Sequence, residues 1–515
     1  MTDMDDKEME LRSAEALAPK LERWSVSAKN VVYFVPNLAS WQNLGVITAY
    51  PAKYLPDQLL AKDTKIFLDF GETLVGKVRL RLECICQPDT PIRLKTMAAE
   101  LPYEAVNDPE TYQSGLGRGW LQEEMLTAYE MPMDVVLPRR YSLRYLAITV
   151  LACPRSGVKI TSAEVVAQSA AGKDLPPPLP DWDREMALID LACFRTLRNC
   201  MQEVLEDGPK RDRRLWLGDL RLQALVNHVT FHRYDQVERC IRLLCACTDE
   251  RGRIPSAVLL KPHPCAGGFL LDYALIFARL LLEHCKFTGS LALAEEWFDL
   301  ARLQLSFFRE GVDDQRLFHA SGCPRVFIDH CPALDRDTPA TCVAIWSAEA
   351  LAELAQLLKR PAKEIAALKT EAAEWRQALR DNRFDSKSGM LQSGHSRQLS
   401  WASQFWGILA GVLSPEEARA ALTKWEQQPE MAVKPNTPYL MHYLLEACRK
   451  CGMEELLQNT IRRYWGGMIL RGADTFWEVF QEDDDFYTPY CDTHDPRNNS
   501  ACHAWSGTPS FFIRK

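Results

Sequence analysis

The stretch "EDGPKRDRRLWLGD", residues 206–219, puts four carboxylates (Glu206, Asp207, Asp212, Asp219), four cations and Trp216 into fourteen positions. Gly208 and Pro209 interrupt it, so it does not read as a plain solvated helix. A second polar and aromatic concentration closes the chain: "RGADTFWEVFQEDDDFYTPYCDTHDPRNNSACHAWSGTPSFF". Both segments combine glycine, acid, tryptophan and arginine. Carboxylates and guanidinium groups hydrogen-bond hydroxyls in pairs, and indole rings pack on the C–H faces of a sugar, so the composition is that of a carbohydrate pocket.

The elements that position these segments change character along the chain. In "KVRLRLECIC", Val78, Leu80, Leu82, Cys84 and Cys86 alternate with polar residues, the period of a half-buried strand. "TKIFLDFGE" and "YSLRYLAITVL" are similar turn-bounded runs. They predict an antiparallel β-sandwich over residues 30–170, after an N-terminal segment 1–29. The prolines of "GKDLPPPLPDW" favour a stiff connector, residues 171–182.

From residue 183 to 515 the period is helical. "LIDLACFRTLRNCMQEVLED" sets Leu191, Phe194, Leu197, Met201 and Val204 on one stripe, and comparable segments recur to give roughly a dozen helices. "SPEEA" carries a capping residue, a proline at the first helical position and first-turn acids. Paired helices in that number, without a fixed-period repeat, predict a barrel of six helical hairpins rather than a solenoid. The fold class is thus multidomain β plus α.

Composition excludes several functions. The chain has 515 residues, 47% apolar and 25% charged, with a net charge of −8 and no basic face, which argues against a nucleic-acid partner. No long apolar run predicts a membrane span. The acidic start lacks the basic-then-apolar order of a secretory signal, so a cytoplasmic location is expected. The 17 cysteines read as small buried hydrophobes, including the "CRKC" pair Cys448 and Cys451. The "EDDD" run, residues 482–485, reads as a solvated surface rather than a calcium site. Trp401 suits the core as well as a pocket wall.

Three motifs, in order, resemble those of glycoside hydrolase family 78, the α-L-rhamnosidases. "DGPKRDRRLWLGD" is similar to a family signature reading Asp-Cys-Pro-Gln-Arg, an acidic residue, then Gly-Trp-Thr-Gly-Asp. "GADTFWE" resembles Gly-Ala-Thr-Thr-Phe-Trp-Glu, and "SACHAWSG" a Ser-x-x-His-x-Trp element. The resemblance spans residues 30–515 and implies a β-sandwich ahead of an (α/α) barrel, in a short form without extra β-domains. It implies inverting hydrolysis of terminal α-L-rhamnose from small glycosides, with no cofactor and no metal. Inversion needs an acid and a base about 6.5–9.5 Å apart, with room for water.

The resemblance makes Glu478 the general base. It makes Asp207, Arg211, Trp216, Asp219, Asp272, Trp477 and His503 contacts of the substrate. The family usually carries Glu as general acid. Counted on the shorter form of the motif, that position holds Asp212; the longer form would place Arg213 there, and arginine cannot donate a proton usefully. Asp212 is therefore expected to be the acid. Gly208 stands where the family has cysteine, and Leu215 where it has the glycine before tryptophan. Taken alone, Asp219 could be a helix N-cap and His503 a structural histidine. The expected partner is a small rhamnoside, with no nucleic acid or membrane, and a homodimer is an assembly the reading allows. Another glycosidase on the same barrel, or a rhamnoside-binding module with impaired catalysis, is the alternative.

Overall fold

In the computed structural model, the described residues are 2–85, 89–179, 182–322, 325–490 and 495–515, with side chains from residue 7 onward. They cluster into two compact units, each built from separated stretches of chain.

One unit comprises Pro19–Arg213 and Gly466–Gly507. Its backbone is a 19-residue strand, Lys65–Glu83. The first half pairs antiparallel with Asn30–Pro36 and Tyr141–Ala152, the second half with Lys159–Ser169 and Met133–Val136. The two runs expected as separate strands are therefore one. A register shift between Asp69 and Leu74 lets the strand bend while its ladder continues. Leu68, Leu74, Val78, Leu80 and Leu82 pack into a core with Leu143, Ile148, Ile160 and Val165. Each such side chain contributes about 1.5–3 kcal/mol by leaving water. Cys84 packs at the rim of that core, just past the strand end, and Cys86 lies outside the described residues.

The same unit holds the helix Arg184–Cys200, capped by Asp183 through the backbone N–H of Met186 at 3.0 Å. The stripe expected to run on to Val204 stops earlier. Met201 and Leu205 form an antiparallel bridge, and Met201 and Val204 are buried outside the helix. This tight turn delivers the chain to Asp207.

The other unit comprises Met1–Ala18, Arg214–Trp465 and Thr508–Lys515, and is almost wholly helical. Leu217–Val229 packs on Leu271–Thr288, which packs on Asp337–Leu357, followed in turn by Trp401–Leu409 and Pro438–Lys450. Each of these five also packs on the helix that follows it in the chain. The inner helices are buried nearly all round: all nine residues of Trp401–Leu409 are buried. An outer helix such as Ala362–Arg383 buries one stripe, around Leu368, Ala372, Trp375 and Leu379. The expected start at "SPEEA" is present as a reciprocal capping box between Ser414 and Glu417. Trp401 belongs to the core, its indole bonded to the Pro429 carbonyl at 2.6 Å and packed edge-on against Trp425. Among the described residues, no helix is long and apolar enough to cross a membrane.

Candidate functional site

Two of the three motifs are laced together almost residue by residue. Thr475 donates to the Ala501 carbonyl at 2.8 Å, and the His503 N–H to the Phe476 carbonyl at 2.9 Å. Ser506 donates to the Trp477 carbonyl at 2.5 Å, and the Trp505 indole to the Glu478 carbonyl at 3.1 Å. Glu478 and Ser500 close the seam twice: the Glu478 N–H donates to the Ser500 carbonyl, and the Ser500 N–H donates to Glu478 Oε2 at 2.9 Å. The first motif joins through the Ala504 N–H, which donates to the Asp207 carbonyl at 2.8 Å. A short sequence match thus corresponds to one hydrogen-bonded framework. Its purpose is to fix a buried carboxylate.

That carboxylate, Glu478, is 2% exposed. Its Oε1 accepts from Arg211 Nη2 at 2.5 Å and from the Tyr490 hydroxyl. Arg211 is itself held by Nε on the Asn498 carbonyl at 3.0 Å, and its Nη1 lies 3.4 Å from Asp212 Oδ1. One guanidinium therefore touches both expected catalytic carboxylates. Burial works against the charge of Arg211, but Glu478, Tyr490 and Asp212 outweigh it and hold its proton affinity well above the ordinary arginine value.

Asp212 and Arg213 have φ of +62° and +54°, two consecutive left-handed residues without a glycine. Such backbone costs of order 1–3 kcal/mol per residue and is retained only where the surroundings enforce it. The kink separates the two side chains. Asp212 stays beside Arg211, whereas Arg213 donates to the Arg140 carbonyl at 2.9 Å. Burial, the largest effect, and the nearby Arg140 push the Arg213 guanidinium down to about 10.

The loop is bolted down by Lys210, 2% exposed. Its ammonium lies 2.7 Å from Glu104 and 3.3 Å from Glu100, and donates to the carbonyls of Asn499 and Arg497. Glu100 in turn accepts from the Ala501 N–H at 2.6 Å. Burial, and secondarily Glu100, push Glu104 up to about 7 despite the lysine. Gly208 has a local reason. A Cβ there would sit 2.8 Å from Ser500 Oγ, so the hydroxyl of Ser500 occupies space a side chain would need.

Asp207 and His503 are both buried, with His503 Nε2 3.9 Å from Asp207 Oδ2 and its ring against Trp505. Trp477 lies against Trp41, ring centroids 4.7 Å apart and planes tilted by 31°. Trp41, Tyr490 and Lys210 were not singled out from sequence. Trp41 and Tyr490 stand in stretches with no periodic pattern, and Lys210 is one of four cations in a charged stretch, with nothing local to set it apart.

Trp216, Asp219 and Asp272 belong to the helical unit. Trp216 precedes the helix Leu217–Val229, so the helix begins two residues before Asp219, and Asp219 lies buried in its first turn rather than capping it. Gly218 allows this approach, since a Cβ would fall 2.4 Å from the Tyr273 ring. Trp216 meets that ring edge-on at 6.4 Å. Asp272 accepts from the backbone N–H groups of Phe327 and Ile328, both at 2.9 Å, and so anchors their loop. Burial raises its proton affinity and these bonds oppose the rise. Among the described residues, no group of three or more His, Cys, Asp or Glu side chains could hold a metal ion.

Comparison with known proteins places this framework. Residues 28–167 match the glycosyl hydrolase family 78 alpha-rhamnosidase N-terminal domain, and residues 329–515 the bacterial alpha-L-rhamnosidase 6 hairpin glycosidase domain. A structure of a rhamnosidase from Klebsiella oxytoca with rhamnose bound superposes with a TM-score of 0.94 at 35% identity, over 98% of either chain. A GH78 family rhamnosidase of Bacillus sp. GL1 gives 0.72 at 21% identity, over 87% of this chain and 46% of that one. Streptomyces avermitilis alpha-L-rhamnosidase complexed with L-rhamnose gives 0.68 at 16%, over 96% and 44%; these last two show the fold alone. No curated protein matches.

Proposed function

The chain belongs to glycoside hydrolase family 78, an antiparallel β-sheet domain with a six-hairpin helical domain, and on that premise we propose that it is an inverting α-L-rhamnosidase acting on small rhamnosides. Asp212 protonates the glycosidic oxygen as it leaves. Glu478 takes the proton of a water that attacks the anomeric carbon from the opposite face, and the sugar departs with inverted configuration. The observation that carries this reading is the single guanidinium of Arg211, which donates to Glu478 and lies beside Asp212. The kink that turns Arg213 onto the Arg140 carbonyl supports Asp212 rather than Arg213 as the acid.

Asp207, Arg211, Trp477 and His503 are proposed to bind the sugar from the framework around Glu478. Trp216, Asp219 and Asp272 are proposed as further contacts on the strength of the motif resemblance. No step requires a cofactor. A cytoplasmic setting is part of the same proposal, in keeping with 17 cysteines that read as small buried hydrophobes.

The test is proton NMR of hydrolysis of p-nitrophenyl α-L-rhamnoside, run beside other nitrophenyl sugars. The β-anomer of rhamnose forming first, with the other sugars uncut, is the expected result. The α-anomer first would replace the base by a nucleophile. Rhamnose binding without turnover would instead favour a binding module.

A further inference from the structure

Tyr490 lies twelve residues beyond Glu478 and donates its phenol proton to Glu478 Oε1. The same hydroxyl accepts from Arg211 Nη2 at 2.9 Å, and the tyrosine ring lies under the guanidinium, 4.7 Å from its carbon. We infer that Tyr490 is a positioning residue for the general base, fixing which way the Glu478 carboxylate faces and over what pH range it is ionised. The inference rests on Glu478 being that base.

The geometry carries the argument. A carboxylate turns easily about its last torsion, so a base poised against one water must be held. Arg211 supplies charge, but a guanidinium alone could slide along the two oxygens. The phenol adds a directional donor on Oε1, and the Ser500 N–H fixes Oε2. Tyr490 keeps its proton throughout. When Glu478 accepts the proton of water and becomes neutral, the phenol remains a donor to it, and no proton leaves the tyrosine. Burial and the facing carboxylate raise the phenol's proton affinity well above its ordinary value, which suits a permanent donor. The charged and titratable groups on Glu478, on the loop beside it and on the segments bonded to its seam include Arg211, Asp212, Tyr490, the Asp207 and His503 pair, and Lys210 with Glu100 and Glu104. Only Arg211 and Tyr490 among these side chains donate to its oxygens in the bonds described above.

The test compares Tyr490→Phe with the full-length parent protein. Phenylalanine keeps the ring beneath Arg211 and removes only the donor. The acidic limb of the kcat/KM profile is expected to move up by about one pH unit, roughly tenfold in the protonation constant, with KM nearly unchanged. Tyr490→Leu also removes the ring and is expected to lower the plateau as well. Fluorotyrosine at position 490, a stronger donor of the same shape, is expected to move the limb down, and it serves if Tyr490→Phe does not fold. A limb that superposes on the parent's in all folded variants overturns the inference. A parent protein with no rhamnosidase turnover overturns the reading beneath it instead. In that case a carbon-13 titration of the Glu478 carboxyl, assigned by its loss in Glu478→Gln, still reports whether Tyr490 governs its ionisation.

Discussion

Arg211 donates to Glu478 at 2.5 Å across 267 residues of sequence, beside a seam of bonds between residues 500–506 and the backbone of residues 476–478. The planar fork of arginine is what permits this, because Nε, Nη1 and Nη2 face Asn498, Asp212 and Glu478 at once.

Arg211→Lys keeps the charge and loses the fork. We predict a fall in kcat of about 100-fold, the cost of misplacing a reacting group by roughly 1 Å. Arg211→Met also leaves the Glu478 carboxylate buried without its cation, and the predicted loss of stability is about 3–5 kcal/mol. Steady-state kinetics and chemical unfolding separate the two effects. Wild-type kcat in Arg211→Lys would remove the shared guanidinium from the mechanism.

Asp212 is best tested by asparagine, which tolerates the left-handed backbone at φ +62° that alanine would strain. Asp212→Asn is expected to lose at least about 100-fold in turnover on alkyl rhamnosides, whose leaving group needs a proton. It loses much less on nitrophenyl rhamnoside, whose leaving group departs as an anion. Equal losses on both substrates would mean that Asp212 is not the acid.

How much of this was legible in the sequence depends on what kind of force made each feature. The alternation around Val78 and the capping box at Ser414 could be read because burial and capping act over a few residues. Asp207, Arg211, Glu478 and His503 were picked out by motif resemblance, and the structure brings those four into one unit. The continuity of Lys65–Glu83 was not legible, since a bulge resembles a turn when only one strand is visible. Nor was the end of the helix at Cys200, where an apolar stripe continues through Met201 and Val204 into a bridged turn. Tyr490 and Trp41 depend on contacts between distant stretches, and no local pattern marks them.

Gly208 and Ser500 are predicted to be energetically coupled, because a Cβ at 208 would meet Ser500 Oγ at 2.8 Å while that hydroxyl is donating to the Cys502 carbonyl. Gly208→Ala is expected to cost about 1–3 kcal/mol by overpacking. In a Ser500→Ala background the same change is expected to cost at least about 0.5 kcal/mol less. Urea unfolding of the four proteins measures the difference, and strict additivity would refute the coupling.

His228 gives the helical unit a sensitivity to acid. Its two ring nitrogens have no hydrogen-bond partner among the described residues, and the ring packs against Phe287 at 4.7 Å and His284 at 5.4 Å. Burial, then the neighbouring His284 and His232, push the imidazole from 6.5 down to about 3; burial likewise takes His284 to about 4. The unfolded chain therefore binds protons that the folded chain refuses. Stability is complete above about pH 6.5 and falls as pH drops toward 3, by up to about 1.4 kcal/mol per pH unit for each histidine. Glu104 and Asp329 slope the other way. Mainly through burial, their folded values are raised to about 7 and about 6, so their contribution is lost as pH rises through those values. The clean readout is consequently a difference. His228→Phe keeps an aromatic ring against Phe287 and removes the titration, so its melting temperature is expected to gain on the wild type steadily from pH 6.5 to pH 4.5. A constant gap between the two proteins across that range would show that His228 is solvated and protonates in the folded state.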